Sequence, residues 1–519
     1  MIVARHKSLF ASYAGKLLPQ ATARNRAGAP AYELAPKHQL AQLAMTGTLS
    51  RTFYATAPGQ LADVTALAAK IEPEFLAKAS IYARKRGHMK DMPALLLAAL
   101  SLRDPVLFAR AFPRVVDNGR MLRTFVQIMR SGAAGRKSLG SRPKGMVQRW
   151  LAEASDAEIL RASVGQSPSL ADVVRMVHPK PASAERKALY AYLIGKPYDV
   201  AALPEQVTAF EAFKRDPSRP VPDVPFQMLT ALDLTPQHWA QIARTAGWQM
   251  LRMNLNTLDR QCVFAVPGMT KLVAKRLADP AEIRRSRVLP YQLMAAYTTA
   301  SKDVPQAVRD ALQDAMEIAI ANVPAVSGSV VVCPDVSGSM GSAVTGARKG
   351  ATSAVRCIDV AALVAAAMLR VNTTARVLPF EQDVVDVALN PRDSVMTNAA
   401  KLAAIGGGGT NCSAPLELLV KEKAEVDLVV FVSDNQSWVD AASASTGMMK
   451  QWAKLKQKNR EAKLVCIDIQ PYGSTQAPER DDILNVGGFS DAVFETIADF
   501  AAGRLGAEHW AGQIEKVEV

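Results

Sequence analysis

The stretch SVVVCPDVSGSM, residues 329–340, decides the fold of the C-terminal part of the chain. Its short β-branched run ends in a turn where Asp335, Ser337 and Ser339 alternate, so their side chains can converge, and Gly338 lets the backbone take that turn. A carboxylate and two hydroxyls are hard oxygen ligands, which suit Mg²⁺, Ca²⁺ or Mn²⁺ and do not suit zinc. Taken alone, the same pattern is also typical of a helix N-cap.

Two further oxygen donors follow apolar or glycine-rich stretches. Asp434 comes after the run Val429–Ser433, and Thr410 comes after four glycines, Gly406–Gly409, that let a loop fold closely over a site. From Gly328 onward, short apolar runs alternate with helical patterns, which predicts a parallel, doubly wound α/β sheet with ligands at the carboxyl ends of its strands. We therefore expect one divalent cation, with Mg²⁺ as first choice and Ca²⁺ or Mn²⁺ as alternatives. The predicted ligands are Asp335, Ser337, Ser339, Thr410 and Asp434.

The alternation extends over the whole C-terminal region. The predicted strands are Ser329–Cys333, Ala375–Pro379, Val384–Leu389, Val426–Val432 and Lys463–Ile469. The predicted helices are Ala354–Leu369, Ala414–Lys423, Thr446–Gln457 and Ser490–Ala502.

Residues 34–323 show helical spacing instead, punctuated by proline and glycine. This rhythm favours stacked helix pairs, an α-solenoid, over a globular helical domain, although no clean repeat occurs in the sequence. The stretch Ala321–Gly328 marks a boundary, so we predict domains over residues 1–325 and 326–519. The clearest predicted helices are Glu74–Arg86, Ala94–Leu102, Arg120–Arg130, Lys144–Glu153, Ser183–Leu193 and Gln241–Leu255.

Composition points to a folded protein outside the membrane. Of the 519 residues, 49% are hydrophobic and 21% charged, and no apolar run approaches the ~20 residues of a membrane helix. The five cysteines are scattered without C-x-x-C spacing, which argues against a disulfide scaffold and favours a reducing compartment. We expect a cytoplasmic monomer. The first 32 residues lack acids, as a transit peptide does, but a basic first helix is preferred because no long apolar core is present.

Charge is divided unevenly between the two regions. From Gly328 on there are 18 Lys and Arg against 23 Asp and Glu, a net charge of −5, so the preceding residues carry 44 and 25, a net charge of +19. A region that basic suggests a polyanion partner, and phosphate backbones are the commonest such partner.

Basic residues cluster in segments with few acids. The stretch Arg130–Arg149 mixes bases with glycines and serines, which suits phosphate contacts, although a solvated linker explains it equally well. Arg175 and His178 are three residues apart on a predicted helix and share a face, with Lys180 at its end. The candidate RNA-binding residues are Arg136, Lys137, Arg142, Lys144, Arg149, Arg175, His178 and Lys180.

Two family resemblances follow from these motifs. The metal loop with Thr410 and Asp434 resembles the metal-ion-dependent adhesion site of von Willebrand factor A domains, in which a partner's acidic group usually completes the metal shell. Over nearly the whole chain, an ordered set of segments resembles the Ro autoantigen family with its TROVE module. The segments are Asn25–Leu43, Ala83–Leu96, Lys144–Trp150, Asp172–Pro181, Trp248–Asn256, Arg287–Gln292 and Val486–Ser490.

The second resemblance implies a ring of HEAT-like helical repeats closed by the A domain. It implies a function in noncoding RNA quality control or processing, with Y-type small RNAs on the outer surface and single-stranded 3′ ends of misfolded RNA in the central hole. By position, Arg175, His178 and Lys180 would contact RNA on the outer surface, and Lys144 and Arg149 would lie near the surface that both RNAs use. A 3′-exoribonuclease is an implied further partner.

Two positions depart from the family's pattern. Leu49–Tyr54 is less glycine-rich than the family's usual turn before its aromatic pair. Asn411 stands where an acid often follows the threonine, which leaves the metal site plausible but lowers its charge.

We predict an RNA-binding protein that is not an enzyme, because no second carboxylate cluster accompanies the metal loop and Asp440 is a spare acid typical of a solvated surface. Aromatic residues make up only 6%, so we expect binding through the RNA backbone with weak sequence preference. The alternative is a metal-dependent protein-interaction module whose basic half binds acidic protein or membrane surfaces. A metal-assisted hydrolase is the least favoured alternative.

Overall fold

The computed structural model of the chain describes residues 18–46, 49–286, 288, 290–320, 323–344, 355–437, 445–488, 491–505 and 509–519. These residues form two compact units. The sheet unit contains the described residues up to Val64, those between 287 and 299, and those from Gln313 to Lys516. The helical unit contains Thr65–Ser286, Ala300–Leu312 and Val517–Val519. The contacts thus group the described residues before Val64 with the sheet, whereas the sequence predicts one boundary between residues 325 and 326.

The strands all lie in the sheet unit. They are β1 (Ala23–Arg24), β2 (Pro30–Glu33), β3 (Val330–Pro334), β4 (Arg376–Val377), β5 (Leu428–Ser433), β6 (Lys463–Asp468), β7 (Ser474–Thr475) and β8 (Ile483–Gly487). A five-stranded parallel sheet has the order β4-β3-β5-β6-β8, and a smaller antiparallel sheet has the order β1-β2-β7. The predicted doubly wound parallel sheet is therefore confirmed. Its strands β3 and β5 are buried throughout, which explains why they are continuous apolar runs in the sequence.

The strand register places the carboxylates of Asp335, Asp434 and Asp468 on one rim of the parallel sheet. Pro334 at the end of β3 pairs with Val432, and Ser433 at the end of β5 pairs with Asp468. Because parallel strands end at the same edge, the residues that follow β3 and β5 adjoin each other and the end of β6.

Helices account for most of the remaining described residues. In the first part of the chain they are α1 (Pro36–Thr46), α2 (Ala57–Lys70), α3 (Pro73–Lys85), α4 (Asp91–Arg103), α5 (Pro105–Val115), α6 (Gly119–Ser131), α7 (Ser141–Glu153), α8 (Asp156–Ser163), α9 (Leu170–Val177), α10 (Ala184–Ile194), α11 (Glu205–Arg215), α12 (Phe226–Leu229), α13 (Pro236–Thr245), α14 (Trp248–Met253), α15 (Leu255–Arg260), α16 (Met269–Leu277) and α17 (Pro280–Ser286). The later ones are α18 (Pro290–Thr299), α19 (Gln306–Ile320), α20 (Cys357–Val371), α21 (Val395–Ala403), α22 (Ala414–Lys421), α23 (Gly447–Lys458), α24 (Asp491–Ala501) and α25 (His509–Glu515). In the described part of the chain, no helix is both long and apolar enough to cross a bilayer.

Local capping explains where the helices of the helical unit begin. The Asp104 side chain accepts the backbone N–H groups of Val106 and Leu107 at the start of α5, and reciprocal capping boxes begin α8 at Ser155 and α9 at Ser169. Successive helices pack as neighbours through apolar faces, so the predicted helical series is confirmed.

Two predicted elements of secondary structure are wrong. The helix predicted over Gln241–Leu255 is divided between α13, α14 and α15, with breaks before Trp248 and at Asn254. The strand predicted over Val384–Leu389 forms only an isolated bridge, because the N–H of Val385 turns back to donate to the carbonyl of Pro379 (2.8 Å). The prediction for Asp440, the start of the helix predicted at Ala354, and residues 1–17 of the predicted basic first helix fall outside the described residues.

Candidate metal site and basic surface

Three loops meet at the carboxyl ends of β3 and β5. The N–H of Gly338 donates to the carbonyl oxygen of Gly408 (2.9 Å), which ties the first loop to the glycine-rich loop. A Cβ atom on Gly338 would lie 2.9 Å from the carbonyl oxygen of Gly407, so only glycine permits this approach. The hydroxyl of Ser437 donates to the carbonyl of Thr410 (3.3 Å) and joins the third loop to the second. The structure therefore brings together the loops that carry the predicted metal ligands.

The predicted ligands are all buried, with exposed fractions between 0% and 6%; they are Asp335, Ser337, Ser339, Thr410 and Asp434. Asp335 accepts the N–H of Ser337 at Oδ1 (2.9 Å) and the hydroxyl of Ser433 at Oδ2 (2.6 Å). The Oγ atoms of Ser337 and Ser339 are 3.4 Å apart, and the N–H of Gln436 donates to Oδ1 of Asp434 (3.2 Å). These bonds fix the polar side chains in one orientation.

The carboxyl groups of Asp335 and Asp434 are buried away from solvent, and no basic side chain of the described residues pairs with them. Burial raises the pKa of Asp335, and burial together with the negative charge of Asp335 raises the pKa of Asp434 to about 8. Among the described residues, no lysine, arginine or histidine forms an ion pair with either group. Two neighbouring buried carboxylates are costly unless a cation neutralises them.

The donor set fits a hard divalent cation. Asp335 and Asp434 would supply charge, and the hydroxyls of Ser337, Ser339 and Thr410 would supply neutral oxygen ligands. No cluster of three or more His, Cys, Asp and Glu side chains suited to a metal occurs in the described ranges, so a cation here depends on hydroxyl ligands. Bound in this place, the cation would neutralise the buried carboxylates.

The sequence interpretation missed Asp468, the last residue of β6. This carboxyl is 1% exposed, and burial raises its pKa to about 7. Its charge contributes, less than that of Asp335, to the raised pKa of Asp434. The available signal was its position near the end of a predicted strand, on the rim where the other carboxylates stand.

Tyr54 was also missed as a site residue. Its pKa is raised to about 12 by burial first and by the charge of Asp434 second, so its phenol lies near a predicted metal ligand. Nothing in the local pattern of Leu49–Tyr54 predicts this proximity, because Tyr54 and Asp434 are far apart in the sequence.

The basic surface lies in the helical unit, around α7 and the end of α9. Pro143, Val147 and Leu151 bury one face of α7, whereas Arg142 and Arg149 are exposed. The amide of Gln148 donates to the carbonyl of Val177 at the end of α9 (2.6 Å). This bond holds α7 against the helix end where His178, in the left-handed region with φ 51°, and Lys180 are exposed.

Ion pairing distinguishes these bases from Arg84 and Arg186 of the same unit. Arg84 pairs with Asp117 (2.7 Å), and Arg186 pairs with Asp156 (2.8 Å) while donating to the carbonyls at the end of α7. Within the described ranges, no carboxylate forms an ion pair with any member of a second set. That set is Lys137, Arg142, Lys144, Arg149 and Lys180.

Two predicted RNA-binding residues have contacts of their own. Arg136 is half-buried and donates from Nη2 to the carbonyl of Leu139, which closes its own loop. Arg175 is exposed, yet it donates to the carbonyl of Ile194 (2.7 Å) and lies 3.5 Å from a carboxylate oxygen of Asp172. Both side chains are therefore less available to a ligand than Arg142 or Arg149.

Known proteins resemble this chain both in the region of the predicted metal site and over nearly its whole length. Residues 329–501 match the model of the Ro60 vWA domain family. The RNA-binding protein RO60 of Deinococcus radiodurans is 25% identical over 94% of this chain and 97% of its own length. Residues 329–501 thus match the Ro60 vWA domain family, and nearly the whole chain is similar to a Ro protein.

A second relative and a solved structure show the same similarity. The RNA-binding protein RO60 of Caenorhabditis elegans is 22% identical over 45% of this chain and 37% of its own length. The crystal structure of the Deinococcus radiodurans RO (RSR) protein shares the fold, with a TM-score of 0.62 at 22% identity, and covers 91% of this chain and 100% of that chain. The resemblance predicted from the ordered segments is confirmed.

Asn411, the departure from the Ro-family pattern, has a local structural role. Its Oδ1 accepts the N–H (3.0 Å) and the hydroxyl (2.7 Å) of Ser413, and its Nδ2 donates to the carbonyl of Gln382 (3.0 Å). The Asn411 side chain thus fixes the entry into α22.

Proposed function

We propose that the protein binds noncoding RNA through bases around α7 and the end of α9. We also propose that it does not catalyse a reaction of the bound RNA. The observation that carries this proposal is a set of bases in this region that have no carboxylate partner in the described ranges and are exposed, except for half-buried Lys144: Lys137, Arg142, Lys144, Arg149 and Lys180. Bases that contact phosphates release the counterions condensed on a nucleic acid, which favours binding of such a polyanion. The two curated relatives named RNA-binding protein RO60 support the same class of ligand.

The finer function that we propose is quality control or processing of noncoding RNA. Its ligands would be Y-type small RNAs on the outer surface and structured or misfolded RNAs with a single-stranded 3′ end. The ring of helices with a central hole and the cooperation with a 3′-exoribonuclease stay predictions from the family resemblance.

Salt-titrated binding tests the proposal. A fluorescent RNA hairpin with a single-stranded 3′ tail should bind at about 50 mM salt and lose ~10³–10⁵ in affinity by about 200 mM, if ~6–10 phosphates are contacted. The same hairpin without the tail should bind more weakly. Absence of binding at low salt by the folded protein would contradict RNA binding, and equal affinities would contradict the preference for a 3′ end.

A polyglutamate competitor separates RNA from acidic protein surfaces. It should not displace the RNA at equal charge concentration, and effective displacement would favour the protein-interaction alternative. The proposal that the protein is not an enzyme fails if RNA turnover is reproducible and is lost in Asp335→Ala.

We propose in addition that Asp335, Ser337, Ser339, Thr410 and Asp434 bind one divalent cation, most suitably Mg²⁺. The support is a pair of buried carboxylates without a basic partner, surrounded by hydroxyls. Calorimetric titration with Mg²⁺ and Mn²⁺ should give one site in the wild type and none in Asp335→Ala. A wild type that binds neither ion contradicts this proposal and leaves the RNA proposal standing.

A further inference from the structure

An exposed tyrosine, Tyr198, follows the end of α10 in the helical unit. Before it, the N–H of Lys196 donates to the carbonyl of Ala191 (2.9 Å) and closes the last turn of α10. After it, the carboxylate of Asp199 accepts the N–H of Ala201 (3.0 Å). The backbone on both sides of Tyr198 is therefore held by local hydrogen bonds.

A second tyrosine supports the Tyr198 ring. The rings of Tyr192 and Tyr198 meet edge to face, with 5.6 Å between their centroids and 78° between their planes. The hydroxyl of Tyr192 donates to Oε1 of Glu211 in α11 (2.8 Å), and the same oxygen accepts from Nζ of Lys214 (3.0 Å). Because the supporting ring is tied to α11 and edge-to-face pairs have a preferred geometry, the Tyr198 ring has a defined direction.

Tyr198 stays accessible to a ligand. An edge-to-face contact covers at most one face of a ring, because one of the two rings presents only its edge. Tyr198 is 38% exposed, and its neighbour Val200 is 63% exposed. Within the described ranges, Tyr198 has no other ring contact, and its hydroxyl has no hydrogen-bond partner. An aromatic face and a hydroxyl are therefore both open to an incoming group.

The turn that carries Tyr198 adjoins the basic surface at the end of α9. Nη2 of Arg175 in α9 donates to the carbonyl of Ile194, the last residue of α10 (2.7 Å), so the two helix ends touch. Lys196 is exposed two residues before Tyr198, and no carboxylate of the described residues pairs with it. The exposed acid Asp199 already accepts a backbone N–H at Oδ1. Proteins that bind single-stranded nucleic acid combine bases for the phosphates with rings for the nucleobases in this way.

We propose that Tyr198 is a stacking site for one unpaired base of the bound RNA, with Lys196 contacting an adjacent phosphate. This inference rests on the proposed RNA binding. It adds a contact to a base, whereas the low aromatic content of the sequence predicts binding through the RNA backbone. Stacking on one ring typically changes affinity about 5–150-fold and tolerates any base, because every base has a π-face. The positive charge of the adjoining surface favours RNA over an apolar protein surface as the ligand.

The test compares two substitutions of the same ring. Tyr198→Phe keeps the ring and removes the hydroxyl, whereas Tyr198→Leu keeps an apolar side chain and removes the ring. Phe53→Leu is the matched control, because it removes a ring that is 60% exposed in the sheet unit. Affinity is measured for the RNA hairpin with a 3′ tail and for a blunt RNA duplex, which offers no unpaired base. In a second measurement, iodouridine is placed at each unpaired position of the hairpin in turn, and the peptides that crosslink on irradiation are identified by mass spectrometry.

We expect Tyr198→Leu to weaken binding of the tailed hairpin about tenfold and to leave the affinity for the duplex unchanged. The slope of log affinity against log salt should stay at the wild-type value, because no charge is removed, whereas Lys196→Ala should lower that slope by about 1. Tyr198→Phe and Phe53→Leu should bind both RNAs like the wild type. At one or more unpaired positions, the wild-type protein should crosslink at Tyr198.

The melting temperature of Tyr198→Leu reports whether it folds, and the crosslink decides if it does not, because the crosslink needs no substitution. Wild-type affinity for the tailed hairpin in folded Tyr198→Leu, an equal loss on the duplex or in Phe53→Leu, or absence of a crosslink at Tyr198 overturns the inference. The proposed RNA binding then still stands, and the exposed pair of Tyr198 and Val200 is left to a protein surface. If the wild type binds neither RNA at low salt, the proposed function itself fails.

Discussion

The metal loops of the sheet unit and the basic surface of the helical unit concentrate charge in opposite ways. Asp335 and Asp434 are buried and accept hydrogen bonds from the loops around them, whereas Arg142 and Arg149 are exposed. Buried like charges require a compact counter-charge of fixed geometry, and exposed bases require an extended polyanion. The first region should therefore respond to the identity of the ion, and the second to ionic strength.

The sharpest separation of the two regions is expected from Asp434→Asn. The isosteric amide removes one ligand charge, so Mn²⁺ affinity should fall by more than ~100-fold, beyond the usual loss from an outer partner. RNA affinity should stay at the wild-type value. Asp386→Asn, at an exposed acid of the same unit, is the control and should change neither. Loss of RNA binding in Asp434→Asn would show that the regions do not act separately.

The reverse separation is expected from Lys144→Glu combined with Arg149→Glu. Removing two charged contacts should weaken RNA binding about 100-fold and lower the salt slope by about 2. Mn²⁺ affinity should not change. Lys271→Glu with Lys275→Glu makes the same charge change at exposed positions of α16 and should cost much less. If Lys144→Glu with Arg149→Glu and the single variant Asp335→Ala lose RNA affinity equally, the two regions do not have separate functions.

The third contrast is the dependence of stability on pH, which we expect from the buried carboxyl groups of the sheet unit. A carboxyl whose pKa is raised on folding binds its proton more tightly in the folded state, so its contribution to stability is present at low pH and is lost as the pH rises. For Asp434 this window runs from the ordinary Asp range near 4 to about 8. The metal-free protein should lose stability to urea across this window, and Asp434→Asn should flatten the loss. Mg²⁺ should reverse it, and a wild type whose metal-free stability rises from pH 5 to 8 would contradict the assignment.

The smallest expected effect concerns Gly145, in the middle of α7. A Cβ atom there would meet nothing within 4 Å, and a helical glycine costs roughly 0.5–1 kcal/mol relative to alanine. Gly145→Ala should therefore stabilise the protein by about that amount, measured by urea unfolding. Gly145→Leu should be similarly stable but weaken RNA binding several-fold by crowding the surface between Arg142 and Arg149. Unchanged RNA affinity in Gly145→Leu would place the RNA elsewhere.

The sequence predicts best what local spacing determines. The loop from Asp335 to Ser339 and the loop at Asp434 follow apolar strands, so their meeting at one sheet rim follows from the parallel fold. Tyr54 escapes prediction because its proximity to Asp434 depends on how a segment distant in the sequence folds. For Arg136 the sequence predicts too much. Its basic neighbourhood suggests a side chain available to RNA, but the side chain donates to the carbonyl of Leu139 in its own loop.

The smaller antiparallel sheet has a consequence for the order of events during synthesis. Tyr32 in β2 pairs with Thr475 in β7, more than four hundred residues later in the chain. At 5–20 residues per second, a ribosome needs roughly 20–90 s to make that partner. The first strands must therefore wait, unpaired along one edge, while the helices between them emerge and fold. A nascent chain stalled before residue 475 should consequently depend on chaperones more than the completed protein does.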